Sequence, residues 1–239
     1  MKIILLLSLW AFTVSAQVSP VPLPLSKYGL PVVGNASVYQ TVVQKDPSNA
    51  LMDMRQLLPE AHFDVTYATD RNFLKRKVYP TADLFMRRPA AQALVKASAN
   101  LKEKGLGLLL FDGYRPYSVT VLFYEEVGDT TFVADPRKGS KHNRGMAIDL
   151  TLYDLKTGEP LLMPSGYDEA SPRAFHDYEG GDPQALRNRA ILRDAMEQVG
   201  FQVFKWEWWH YDFAGWEQCL TYDLWHKRIA RINRSLGIR

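Results

Sequence analysis

Apolar positions along this chain recur at two periods. Ala90, Leu94, Ala97 and Leu101 fall at helical spacing between Pro89 and Gly105. That predicts a helix opened by the fixed φ of proline and closed by glycine. A second stripe, Ile191, Leu192, Ala195, Met196 and Val199, follows Asp182-Pro183 and stops at Gly200. Here Asp182 is a good N-cap and Pro183 a good first helical residue. Each helix feeds a strand-like run, Leu106 to Phe111 and then Phe201 to Phe213, the latter rich in aromatic residues and valine. His62 to Tyr67 and Met146 to Leu152 read as further strands. Helices and strands mix without regular βαβ alternation. The expected fold is therefore α+β, a single compact domain with a mainly antiparallel sheet flanked by helices.

The ends of the chain break this pattern. Lys2 precedes an apolar run from Ile3 to Val14, and Val14-Ser15-Ala16 ends in small residues. This is the layout of a secretory signal peptide, and the run is short of the roughly 20 residues needed to span a bilayer as a helix. The expected organisation is a signal peptide over 1–16, a proline-rich extension over 17–45 and one domain of catalytic size over 46–239. Pro20, Pro22 and Pro24 favour an extended start to that second segment. An exported protein, periplasmic or extracellular and without a membrane span, is the consequence. At the other end Lys227, Arg228, Arg231, Arg234 and Arg239 suggest a solvated helix face.

Composition narrows the chemistry. With 46% hydrophobic and 23% charged residues, the 239-residue chain is too apolar for disorder and long enough for a large core. A net charge of +3 without a long polybasic run gives no nucleic-acid stripe. Cys219 is the single cysteine, so neither a disulfide framework nor a thiolate-rich zinc site is available. It reads as a small packed side chain.

Three segments carry candidate chemistry. In Ser140 to Asp149, His142 and Asp149 offer an imidazole nitrogen and a carboxylate, with Gly145 allowing a tight turn and Ala147 leaving room between them. On this segment alone, a loop histidine beside a strand-end aspartate explains the residues equally well. Trp206 to Tyr211 then sets Glu207 three residues before His210 among aromatics. A carboxylate in such a run must be hydrogen-bonded, paired or near a metal. With His210 as third ligand, an open three-ligand zinc site results, and Glu207 can stand beside it without binding the metal. In Phe111 to Pro116, Arg115 follows an Asp-Gly turn and could stabilise an oxyanion. His62, His176 and His226 lack partners at ligand spacing and suggest packing or surface roles. No Walker A loop, Gly-x-Ser-x-Gly elbow or helical His-Glu-x-x-His is present.

Taken together, these segments resemble the zinc D-alanyl-D-alanine dipeptidases, relatives of cell-wall D,D-carboxypeptidases. The likeness rests on Tyr-Ala-Thr-x-x-Asn-Phe at Tyr67 to Phe73, Asp-Gly-Tyr-Arg-Pro, Ser-x-His-x-x-Gly-x-Ala-x-Asp and Glu-x-x-His, in that order. It implies a zinc site at the sheet, with one Zn²⁺ per chain held by His142, Asp149 and His210. Glu207 would be general base and acid, and Arg115 the transition-state stabiliser. Tyr67 and Asp168 would lie near the substrate's ammonium group and Ser140 near its other end. The tail after Phe213 has no clear counterpart.

The resulting expectation is hydrolysis of the small dipeptide D-Ala-D-Ala in cell-wall turnover. A D,D- or L,D-carboxypeptidase trimming stem peptides would use the same metal chemistry in a more open pocket. A binding module that has lost catalysis fits less well, because it has no need of Glu207 and Arg115.

Overall fold

The computed structural model describes residues 21–130 and 132–238. The proposed signal segment, 1–16, lies outside them. Among the described residues no helix is long and apolar enough to cross a membrane.

The chain forms β1 (Val32–Val33), α1 (Ala36–Lys45), β2 (Leu51–Asp53), α2 (Met54–Leu57), β3 (His62–Phe63) and β4 (Phe85–Arg87) before its first long helix, α3 (Arg88–Lys102). Then follow β5 (Leu106–Asp112), α4 (Tyr117–Val127), β6 (Ala147–Asp154), α5 (Pro183–Glu197), β7 (Phe201–Phe204), β8 (Glu207–Phe213), β9 (Thr221–Tyr222) and α6 (His226–Ser235).

Both predicted helices are present; α3 buries its whole stripe, and α5 buries the middle of its stripe, with Ile191 and Val199 only half-buried. In α3, Ala90, Leu94, Ala97 and Leu101 are fully buried. In α5, Asp182 caps the helix by accepting from the Gln184 amide, while Leu192, Ala195 and Met196 face the core. The helix α3 packs on β5, α5 packs on β7, and the two helices touch.

A five-stranded sheet, ordered β3-β5-β6-β8-β7, is antiparallel at every pairing except β3–β5. It thus matches the expected architecture: a mixed, mainly antiparallel sheet flanked by helices within one domain. Ala147 to Tyr153 in β6 are all buried, as suits a central strand covered on both faces.

Two strand expectations need correction. The run Phe201 to Phe213 is a hairpin, with Lys205 and Trp206 in the turn between β7 and β8. Aromatic content concealed the turn, because it carries neither glycine nor proline. The run His62 to Tyr67 is a strand only at His62–Phe63 and then bends into a 3₁₀ turn, Thr66–Ala68. That turn buries Tyr67 and aims it inward rather than along a sheet.

The segments flanking the sheet also reach the core. In α1, Tyr39 is fully buried, donates its hydroxyl to Asn233 in α6 and accepts from the Leu51 amide. The strand β1 pairs in parallel with β9. The tail after Phe213 is therefore built into the domain through β9 and α6.

Candidate active site

Three adjacent strands set the site's geometry. Asp112 in β5 lies opposite Asp149 in β6, and Asp149 lies opposite His210 in β8. The β5–β6 register shifts between Leu110 and Asp112, a bulge that re-aims the end of β5. His142 enters from a 3₁₀ turn, His142–Arg144, that leads into β6. Gly145 closes this turn at φ +65°, where a Cβ would come within 2.8 Å of the Arg87 backbone nitrogen. Only glycine suits that combination of left-handed backbone and close approach.

The predicted ligands converge. His142 Nε2 is 3.1 Å from His210 Nδ1 and 3.5 Å from Asp149 Oδ1, and His210 Nδ1 is 2.9 Å from Asp149 Oδ1. All three side chains are buried. The outward ring nitrogens are already engaged: His142 Nδ1 with the Gly113 carbonyl at 2.7 Å, and His210 Nε2 with Asp212 Oδ1 at 2.9 Å. Each outer partner is an acceptor, so each outer nitrogen carries the proton and the inner nitrogens turn lone pairs toward the centre. Two imidazole lone pairs and a carboxylate facing one another in a buried space call for a cation.

Zinc fits this donor set. Tetrahedral bonds of about 2.0–2.2 Å require ligand atoms about 3.3–3.5 Å apart, within about half an ångström of the three separations seen here. Without a metal, a proton fills the gap. Burial opposes a charge on His210, but Asp212 and Asp149 outweigh it and lift its pKa to about 10. Burial likewise opposes a charge on Asp149, yet the two imidazoles hold its carboxyl well below the usual range. A metal held by His142, Asp149 and His210 would therefore displace a proton from this cluster.

Glu207 stands beside the triad, its Oε2 3.7 Å from His210 Nδ1. It opens β8 rather than lying deep within it, and about a third of its side chain (34%) is exposed. Burial pushes its pKa up to about 7, with Asp149 and Asp168 adding to the rise against His210 and Arg115. A carboxyl at that value can take and return a proton near neutrality.

Arg115 is held rather than solvated. Its Nε and Nη2 both donate to Asp112 Oδ2, at 3.1 and 2.8 Å, and Asp112 in turn accepts from the Tyr79 hydroxyl. The guanidinium lies over the rings of Tyr67 and Phe123. Two charge-assisted hydrogen bonds to one buried carboxylate oxygen fix where the charge points.

Tyr67 and Asp168 meet: the tyrosine hydroxyl donates to Asp168 Oδ2 at 2.8 Å. Burial, then the charge of Asp149, raises the Asp168 pKa to about 6. Its neighbour Tyr167 donates to Asp149 Oδ2 at 3.1 Å, so two adjacent residues of the long β6–α5 connection touch both the triad and this acidic group. Ser140 is buried, and its hydroxyl accepts from the His142 amide at 3.2 Å, which supports the turn carrying that histidine.

The sequence reading missed Asp112, Asp212 and Tyr167, the groups that orient Arg115, His210 and Asp149. Asp212 had a usable signal, since it lies two residues after His210 and thus on the same face of a strand. Lys141 forms an ion pair with its free oxygen. The remaining histidines pack. His226 is buried among Tyr79, Phe85 and Tyr114, His62 stacks on Tyr153, and His176 meets Tyr211 edge-on. Cys219 is half-buried, with its thiol toward the Gly215 carbonyl.

Residues 47–229 match the peptidase family described as D-ala-D-ala dipeptidase. A D-alanyl-D-alanine dipeptidase of Escherichia coli is 33% identical over 174 residues, covering 73% of this chain and 88% of that one. One from Enterococcus faecium is 34% identical over 176 residues, covering 65% and 87%. Among solved structures, the LdcB LD-carboxypeptidase matches at 20% identity with a TM-score of 0.38, covering 64% of this chain and 65% of that one. With a family match that includes every residue of the site and relatives aligned over most of their length, the chain belongs to the D-ala-D-ala dipeptidase family of peptidases.

Proposed function

We propose that this protein is a zinc-dependent dipeptidase that hydrolyses D-alanyl-D-alanine to two D-alanines. The observation that carries the reading is the triad of His142, Asp149 and His210 with Glu207 Oε2 3.7 Å from it. When bound there, one zinc ion supplies a Lewis acid and lowers the pKa of water. Glu207 takes the proton of the attacking water and returns it to the leaving amine. Arg115, fixed by Asp112, offers its guanidinium to the negative charge that grows on the scissile carbonyl oxygen.

Substrate size in this reading follows from Asp168 and the Tyr67 hydroxyl that donates to it. A free dipeptide carries an ammonium group that an aspartate can hold, and ion pairing with it would keep Asp168 charged. A longer peptide places an uncharged amide there and leaves the half-buried carboxylate without a counter-charge, which binding sites penalise. Ser140 lies toward the carboxylate end in this reading. The expected result is rapid release of alanine from D-Ala-D-Ala and loss of at least about 10² in kcat/KM for N-acetyl-D-Ala-D-Ala. Comparable release of D-alanine from a stem pentapeptide would instead establish the carboxypeptidase reading.

The same proposal includes export. The basic, apolar and small-residue segments over 1–16 support a cleaved leader, and protein recovered from its source is expected to begin near Gln17. An intact Met1 on protein confined to the cytosol would overturn this. Outside the cytoplasm the enzyme meets peptides from wall turnover, so recovery of D-alanine is the role we assign rather than removal of a cytoplasmic precursor.

A further inference from the structure

We propose that the outer face of α6 docks the protein onto an anionic phospholipid bilayer. This helix carries Lys227, Arg228, Arg231 and Arg234 and no acidic residue, and none occurs from Leu224 to Ile238. All four cations are exposed. Among the described residues none of them has a carboxylate partner, and Arg234 donates only to the Ala230 carbonyl of its own helix. The acid nearest in sequence, Asp223, is committed to the Ser118 amide and hydroxyl at the start of α4.

At about 100° per residue the four cations occupy an arc of about 120°. The opposite side of the helix, Ile229, Ile232 and Asn233, is buried in the core. The helix therefore stays docked in the protein, and contact with a membrane is peripheral.

Two features are hard to explain as ordinary surface. Lys227 and Arg228 sit in the first turn, where the helix dipole disfavours positive charge, and no side chain caps that end. The arrangement costs the isolated fold stability and is relieved by an external anion. Beside it, Trp225 immediately precedes the helix and is 42% exposed. Indole rings favour the headgroup zone of a bilayer, where an apolar body and a polar N–H are both accommodated. A soluble polyanion would satisfy the cations but gives Trp225 no such environment, and this decides for the bilayer.

Each basic side chain near an anionic surface strengthens binding about fivefold, so four together supply roughly 10²–10³. The test is cosedimentation of the purified protein with vesicles of phosphatidylcholine alone or with about 30% phosphatidylglycerol. Binding is expected only to the anionic vesicles, and release is expected as salt rises and the Debye length falls from about 30 Å to about 3 Å. K227Q/R228Q/R231Q/R234Q should lower the partition coefficient roughly 10²–10³ while hydrolysing soluble dipeptide as wild type does. R228K/R231K/R234K should retain binding, which guards against a folding artefact. W225A should weaken vesicle binding and leave binding to dextran sulfate unchanged. Absence of binding to anionic vesicles at low salt, or equal binding by the quadruple glutamine variant, would overturn the proposal. So would tighter binding to dextran sulfate than to vesicles at equal charge concentration, since that marks a polymer-binding face.

Discussion

Glu207→Gln is expected to leave zinc content near that of wild type while kcat falls by about 10²–10⁴, the usual cost of removing a general acid–base group. The proposed mechanism gives both proton transfers to this one carboxylate, which places the expected loss toward the upper end of that range. The substitution is well matched to the geometry. Glu207 stands beside the triad and keeps a third of its side chain in solvent, so an amide of the same size fits without disturbing His210. Glutamine can hydrogen-bond to water but cannot accept its proton. Zinc measured by atomic absorption, together with kcat on D-Ala-D-Ala, checks both halves. Retained activity would remove Glu207 from the mechanism, and loss of zinc would make it a ligand instead.

The second large effect concerns the metal. His210→Ala is expected to lose most of the bound zinc, with activity falling by more than about 10³, since a catalytic metal supplies several kcal/mol of charge stabilisation. Asp149→Asn should also weaken zinc binding, because a neutral amide is a poor ligand for a divalent cation. The structure adds a reason for severity at His210. Its Nδ1 faces both other ligand atoms, at 2.9 and 3.1 Å, and its Nε2 is locked to Asp212. Removing the ring breaks the cluster at its centre. Full zinc occupancy in both variants would show that the triad is not the metal site.

These two experiments separate Glu207 and Asp149, two carboxylates near histidines to which the motifs assign different tasks. The fold sets them in different positions. Asp149 faces His210 across a strand pair and is buried, whereas Glu207 opens its strand at the rim.

Much of the architecture was legible from local pattern. Helical apolar stripes with proline starts and glycine stops located α3 and α5, because those signals act within a few turns and need no distant partner. Glycine at position 145 marked a tight turn for the same reason, and its φ of +65° bears that out. The ligand set and the family resemblance came from motifs in fixed order. What the sequence did not determine depends on pairing between segments far apart. The hairpin within Phe201 to Phe213 exists because β8 pairs with both β7 and β6, a choice no single-strand pattern encodes. The row Asp112, Asp149 and His210 comes from cross-strand register and a bulge in β5. Asp112 and Asp212 became visible as the anchors of Arg115 and His210 only once tertiary contact supplied their partners. The tail after Phe213 carried a basic helix that composition could flag. Packing of Ile229 and Ile232 against the core decided which face it presents to solvent, because an amphipathic helix takes its orientation from the apolar surface that buries it.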